Sequence, residues 1–335
     1  MKISASIYSS KSNDFENLII QLDDFGVDYF HIDSNENLNV FNDISTIRDI
    51  SKTPIDLHII SSNPEKYFNL INEFKIEKVT FQVENLNSKV DFSKIKYSET
   101  GIAISNNTQI NVYEKYANVT SFIMFMTTTP GESGGKFNIN TFRKIREFKK
   151  LFPGKKIHVD GGVNNENAFI LKNLGVFCSV SGSYLVNSDD ILSSLLNLKS
   201  NKVYGEYKAI DFMHDVHEIP VLNENDVDLK NVLLVMEKFK LGFCIINDVN
   251  NKLKGIITEG DIRRELLINI SKSGTSNFKI KFNENPHLVN ELETLPGIIE
   301  GVINIKREIN FIPIVDFNSK LKGAIIFNNL TKAEI

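Results

Sequence analysis

KKIHVDGGV, residues 155–163, is the stretch on which the fold turns. Apolar residues alternate up to Asp160, and two glycines, Gly161 and Gly162, follow at once. The run reads as a β-strand that ends in a carboxylate and feeds a tight turn. Glycines there let backbone N–H groups come close to an anion such as a phosphate. A diglycine after a strand is also an ordinary turn, so its meaning depends on what surrounds it.

Outward from this strand a period appears. Short β-rich runs at 2–8, 29–33, 55–60, 79–84, 101–105, 121–127, 156–160 and 177–181 alternate with amphipathic segments such as 14–25, 64–74, 138–150 and 166–174. Eight strand–helix units in about 200 residues match the lower size limit of a (β/α)8 TIM barrel. A doubly wound open sheet is the rival, but no Gly-rich dinucleotide fingerprint accompanies the units, which favours closure. In such barrels chemistry gathers at the C-terminal ends of the strands.

The polar residues meet that condition. The second run ends His31-Ile32-Asp33, which puts His31 and Asp33 on one face, the third carries His58, and the seventh ends at Asp160. Two imidazoles and two carboxylates converging on one barrel mouth suit a divalent ion in tetrahedral or octahedral geometry. A lone His would read as a satisfied core or rim residue; four such groups on three strands do not. The sixth run enters a glycine-rich loop, MTTTPGESGGKF at 126–137, able to close over a ligand. Gly161-Gly162 follow the seventh run, and Ser181-Gly182-Ser183 follow the eighth just before a helix. Backbone donors after strands seven and eight are the usual phosphate grip of this fold, although loop glycines also serve turns alone.

Composition sets the class. The 335 residues are 41% hydrophobic and 24% charged, with a net charge of −4 and no basic block, which argues against nucleic acid or an anionic membrane as partner. Cys178 and Cys244 sit far apart in apolar runs and read as buried small hydrophobes in a reducing compartment. The N-terminal stretch MKISASIYSSK lacks the apolar core of a signal peptide, and no run approaches the roughly 20 apolar residues that span a bilayer. A cytoplasmic protein is expected.

Residues 1–199 resemble the ribulose-phosphate 3-epimerase family across the whole expected barrel. KISASI resembles its first strand, HID its second, and PIDLHIISSNPEKY its third. FMTTTPGESGGKF is similar to the mobile loop, and VDGGVNNENA with VSGSYL to the phosphate-binding end. The resemblance implies one divalent metal ion (Zn, Fe, Mn or Co) held by His31, Asp33, His58 and Asp160. It also implies that Asp33 and Asp160 act as the acid/base pair on opposite faces of a ketose phosphate. Ser6, Met126, Gly134, Gly135, Gly161, Gly162, Gly182 and Ser183 would be substrate contacts. Epimerising a carbon next to a ketone removes a proton and returns one to the other face, so one carboxylate must be a base while its partner is an acid. The enediolate formed on the way gains from a nearby cation.

The departures are specific. After the expected metal Asp the family has a Val-Met-Asp-Gly-like run, where this chain has Ser34-Asn35-Glu36-Asn37. Ile60 replaces a Met, Gln82 a His, Ser133 a Gly and Gly135 a Gln. The metal and acid/base set is retained, while the substrate is open to a relative of the pentulose phosphate such as allulose 6-phosphate.

After about residue 200 the style changes. A polar linker at 201–207 leads into a region, 208–335, with an internal duplication at about 208–270 and 280–335. The first half reads as a helix at 229–239, strands at 243–248 and 253–258, and a helix starting at Gly260; the second has strands at 311–316 and 321–327. MEKFKLGFCIINDVNNKLKGIITEGDIRREL resembles a CBS domain, so a smaller α+β tandem CBS pair is expected. The resemblance implies an adenine nucleotide at Thr258 and Asp261, with Arg263 or Arg264 as phosphate partners, and a homo-oligomer. The second repeat has Ile326 and Asn329 at the matching positions, and its site reads as degraded. A dimerisation module without ligand is the alternative. His214 and His217 read as surface residues of the linker.

Three functions follow from these readings. The leading one is a metal-dependent ketose-phosphate 3-epimerase with a regulatory or oligomerising tail, suited to sugar or surface-polysaccharide precursor metabolism. The second is a sugar-phosphate sensor without turnover, against which the retained Asp33/Asp160 pair argues. The third is another barrel enzyme, but Lys155 and Lys156 stand at the start of their strand, where a Schiff-base aldolase would not use them.

Overall fold

The computed structural model describes residues 1–87, 90–273, 278–303, 305 and 309–327. Among the described residues the chain divides into two compact units, Met1–Tyr204 and Gly205–Phe327.

Eight parallel strands close the first unit: β1 (Lys2–Ser6), β2 (Tyr29–Asn35), β3 (Ile55–Ile60), β4 (Lys78–Gln82), β5 (Glu99–Ile104), β6 (Phe122–Met126), β7 (Lys156–Asp160) and β8 (Cys178–Ser181). β8 returns to β1 with Lys2 opposite Cys178 and Ala5 opposite Ser181. Helices α1 (Phe15–Asp24), α2 (Val40–Ile50), α3 (Phe68–Glu73), α4 (Asn140–Leu151), α5 (Asn165–Asn173), α6 (Ser183–Val186) and α7 (Ile191–Lys199) follow six of the strands.

The strands alternate as their sequence does. Outward residues such as Ile32, Leu57, Ile59, Phe81 and Phe125 are buried against the helices, each worth about 1.5–3 kcal/mol of transfer. α1 starts where Asp14 accepts from Asn17 N at 3.1 Å, and it buries Leu18, Ile19 and Leu22. The turn after β7 is fixed by a reciprocal cap: Asn164 accepts from Asn167 N, and Asn167 accepts from Asn164 N at 3.1 Å. Asn167 Nδ2 also donates to Gly162 O at 3.0 Å, tying the glycine turn to α5.

One expectation is corrected here. Strands β4 and β5 are followed by short 3-10 turns at Val83–Asn85, Phe92–Lys94 and Ile110–Lys115, not by α-helices. After β4, Asp91 caps a single turn that lays Phe92 edge-on against Phe81 at 5.4 Å. Closure needs the strands, and a helix on every crossover is not required.

The second unit is a duplicated design. Its strands are β9 (His214–Asp215), β10 (Val221–Asn223), β11 (Phe243–Asn247), β12 (Leu253–Thr258), β13 (Val289–Asn290), β14 (Phe311–Val315) and β15 (Leu321–Ile326). They form sheets ordered β10-β11-β12 and β13-β14-β15-β9, accompanied by helices α8 (Ala209–Phe212), α9 (Leu229–Phe239), α10 (Glu259–Ser273) and α11 (Leu295–Ile303). Each sheet has a parallel pair followed by an antiparallel hairpin. The hairpin turns match in detail. Asp248 Oδ1 accepts from Asn250 N and Lys252 N, Asp316 Oδ1 from Asn318 N and Lys320 N, and Asn251 and Ser319 both take φ 61°. Phe243 and Phe311 stack at 3.7 Å and 7° between the repeats, and Leu253 N donates to Ser319 O while Leu321 N donates to Asn251 O.

His214 is not a linker surface residue. It pairs with Ala324 in β9 and is half-buried, because the β15 edge needed a partner; His217 is exposed in the next turn. Ile326 is buried in β15, and Asn329 lies outside the described residues. Among the described residues no helix is long and apolar enough to cross a membrane.

Candidate metal centre

The strand periodicity brings His31, Asp33, His58 and Asp160 together. Each offers one ligand atom, and those atoms all lie within 4.8 Å of one another. His31 and Asp33 come from β2, His58 is the register partner of Asp33 on β3, and Asp160 ends β7. His31 Nε2 lies 3.4 Å from Asp33 Oδ1 and 3.6 Å from Asp160 Oδ2; His58 Nδ1 lies 3.0 Å from Asp33 Oδ1.

Neighbouring groups decide which nitrogen of each imidazole carries a proton. Asp56 Oδ2 sits 3.1 Å from His31 Nδ1 and can only accept, so Nδ1 donates and Nε2 is the nitrogen turned to Asp33 and Asp160, with a lone pair there once the ring is neutral. Gln82 Nε2 donates to Glu84 Oε2 at 2.5 Å, which turns Gln82 Oε1 towards His58 Nε2 at 2.9 Å. His58 Nε2 therefore donates, and Nδ1 is left facing Asp33. Two imidazole lone pairs and two carboxylates then converge on one point, and His31 Nε2 has no hydrogen-bond partner among the described residues. Such a donor set fits a divalent cation, with Asp56 and Gln82 as the outer partners that ligating histidines need.

The two carboxylates are driven apart. Burial alone would raise Asp33, but in the metal-free protein the charge on neighbouring His31 holds it well below the usual carboxylate range. Burial pushes Asp160 up to about 6, with the His31 charge opposing and the Asp33 carboxylate adding. Burial would lower His31, yet the Asp33 and Asp56 carboxylates raise it well above the ordinary imidazole value.

The other expected contacts surround this mouth. Ser6 ends β1 with its hydroxyl 3.1 Å from Ser9 Oγ, and Met126 ends β6 opposite Asp160. Gly161 and Gly162 have φ 104° and 60°, and a Cβ on Gly162 would stand 2.5 Å from Phe137 N. A Cβ on Gly135 or Gly161 would strike the Thr128 side chain at 2.4 or 2.2 Å. These glycines are thus required by the close approach of the loop after β6, in which Gly134 also takes a positive φ of 83°. A Cβ on Gly182 would meet Ser9 Oγ at 2.4 Å, and Ser183 opens α6. Asn35 and Ile60, both departures from the family pattern, are register partners at the same rim.

Sequence reasoning did not assign Asp56. Its signal was present, since Asp56-Leu57-His58 repeats the period-two spacing of His31-Ile32-Asp33.

In the second unit, Thr258 and Asp261 serve each other. Asp261 Oδ2 accepts from Thr258 N at 2.8 Å and from Thr258 Oγ1 at 2.7 Å, while Thr258 Oγ1 accepts from Asp261 N at 3.4 Å. This is a reciprocal cap at the start of α10, and Arg264 pairs with the free Asp261 oxygen.

Comparison with known proteins agrees with this geometry. The profile of the Ribulose-phosphate 3 epimerase family matches residues 2–186, and that of the CBS domain matches 226–268. Ribulose-phosphate 3-epimerase of Bacillus subtilis is 26% identical over 216 residues, covering 60% of this chain and 100% of that protein. The enzyme of Methanocaldococcus jannaschii is 27% identical over 215 residues, covering 59% and 90%. Among solved structures, the CBS-pair protein CBSX2 from Arabidopsis thaliana is 21% identical with a TM-score of 0.32, covering 39% of this chain and 95% of that one. With the family profile spanning the closed barrel and the cluster of His31, Asp33, His58 and Asp160, the chain belongs to the ribulose-phosphate 3-epimerase family.

Proposed function

We propose that this chain is a metal-dependent ketose-phosphate 3-epimerase that interconverts D-ribulose 5-phosphate and D-xylulose 5-phosphate through a cis-enediolate. The observation that carries the reading is the convergence of His31, Asp33, His58 and Asp160 within 4.8 Å. Those four residues would hold a divalent ion (Zn, Fe, Mn or Co), which when bound supplies charge stabilisation for the enediolate oxygens. Asp33, held ionised, is suited to remove the C3 proton; Asp160, raised to about 6, is suited to return one to the opposite face. In the reverse direction they exchange roles. Backbone N–H groups at Gly161, Gly162, Gly182 and Ser183 take the phosphate, Ser6 and Met126 contact the sugar, and the loop through Gly134 and Gly135 excludes water.

A related substrate, such as allulose 6-phosphate, is favoured by one feature. Asn35 and Ile60 stand side by side at the rim, so an amide and a branched aliphatic replace two thioethers where the sugar enters. The test is metal-replete protein with D-ribulose 5-phosphate in D2O, following the C3 proton by NMR beside Asp160→Asn. Exchange with xylulose 5-phosphate formation, absent in the variant, supports the epimerase. Exchange without that product, or only with allulose 6-phosphate, moves the substrate; no exchange with either sugar leaves a sensor.

For the second unit we propose an oligomerising role with an adenine nucleotide at Thr258 and Asp261. The CBS profile match over 226–268 supports it, and calorimetric titration with AMP and ATP tests it.

A further inference from the structure

Beneath the metal centre the barrel interior carries charge that the proposed chemistry does not use. His31, Asp56 and Lys78 are successive register partners across β2, β3 and β4. Their exposures are 1%, 0% and 1%, and a carboxylate and an ammonium buried so completely are rare unless they compensate each other. Asp56 Oδ2 accepts from His31 Nδ1 and, at 2.9 Å, from Ser4 Oγ; Asp56 Oδ1 has no hydrogen-bond partner among the described residues. Lys78 Nζ likewise has none, and rests 3.7 Å from the centre of the Tyr29 ring with Phe122 and Phe177 each at 5.7 Å. His158, the other imidazole of this layer, is stacked on Phe122 at 4.1 Å and lies at 5.7 Å from Phe177. Burial holds it well below the ordinary imidazole value, so it brings no charge.

We propose that Asp56 and Lys78 are a buried positioning pair for the metal centre: Asp56 orients His31, and Lys78 balances Asp56 once His31 is a neutral ligand. The inference rests on the reading of His31, Asp33, His58 and Asp160 as a metal site. A ligating imidazole must be neutral. In the loaded protein His31 gives Asp56 a hydrogen bond but no charge, and Lys78 is the cation paired in register with Asp56 on the next strand. Tyr29, Phe122 and Phe177 keep that ammonium in place by cation–π attraction without taking its charge away. Asp56 touches neither substrate nor metal and acts through His31.

Titration of the metal-stripped full chain with Zn2+ against a chromophoric chelator, and with Co2+ by visible absorption, tests the pair. Asp56→Asn is expected to weaken metal binding about 10- to 100-fold and to alter the Co2+ spectrum. Lys78→Met is expected to weaken binding in the same direction. Either single variant leaves one charge buried alone, so Asp56→Asn/Lys78→Met is the control. It should regain thermal stability, since neither charge remains, and yet keep the weak metal affinity. Wild-type affinity in Asp56→Asn, or its recovery in the double variant, overturns the proposal, because Asp56 would then serve Lys78 alone. If unmodified protein binds no Zn2+ or Co2+, or binds it equally in His31→Ala, the metal-site reading itself falls.

Discussion

The barrel mouth and the start of α10 both present motif residues of the resembled families, and the two differ in what their polar atoms lack. At Thr258 and Asp261 the groups satisfy one another: hydroxyl, carboxylate and backbone N–H close a reciprocal cap, and Arg264 takes the remaining oxygen. At the mouth, His31 Nε2 is orphaned, two imidazoles are turned by outer partners so that lone pairs face two carboxylates, and those carboxylates titrate in opposite directions. A set of acceptors aimed at one another is costly unless a cation joins it. A set that is complete is equally served by structure alone. Atoms left unpaired by the fold are therefore the better guide to a ligand than motif identity.

Four measurements break or sharpen that contrast. The largest effect is expected at the carboxylates, where Asp33→Asn and Asp160→Asn should each lower C3 proton exchange by about 10²- to 10⁴-fold. Loss of less than tenfold in both would remove them from the acid/base role. Next, His31→Ala should reduce bound metal from about one equivalent to a small fraction, read by elemental analysis, because a three-donor site with two carboxylates lacks the closed set of a stable centre.

The third concerns pH in metal-stripped protein. The folded value of Asp160 is raised from 3.8 to about 6, so its contribution is fully present below pH 3.8 and is lost as pH rises through 6. The penalty at neutral pH is about 3 kcal/mol. Denaturant unfolding from pH 4 to 7 should show Asp160→Asn gaining stability relative to wild type as pH rises; parallel curves would contradict it. Smallest is the cap, where Thr258→Ala should destabilise the second unit by about 1 kcal/mol. Unchanged melting would remove the cap role and leave Thr258 only the nucleotide contact proposed above.

Much of this was legible in the sequence because strand alternation is a period of two. The bounds of β3 and β7 follow directly from IDLHII and KIHVD, and the same alternation places His31, Asp33, His58 and Asp160 on the inner face. The crossovers after β4 and β5 were less legible, since the apolar residues there pack from short 3-10 turns in place of helices. Lys78 was invisible for another reason. A lysine at a strand start reads as solvated rim, and only closure of the barrel shows Tyr29, Phe122 and Phe177 arriving around it. The glycines at 161 and 162 were legible as residues, but their cause was not, because the loop that presses on them comes from 25 or more positions upstream.

The interlocked hairpins of the second unit bear on how such a tail can be inherited. Because Leu253 N donates to Ser319 O and Leu321 N to Asn251 O across the repeats, and Phe243 lies flat on Phe311, each half supplies the surface that finishes the other. Half a tail, as a premature stop between the repeats would leave, keeps β11 and β12 with an apolar face and a bare turn, the kind of edge that recruits neighbouring chains into aggregates.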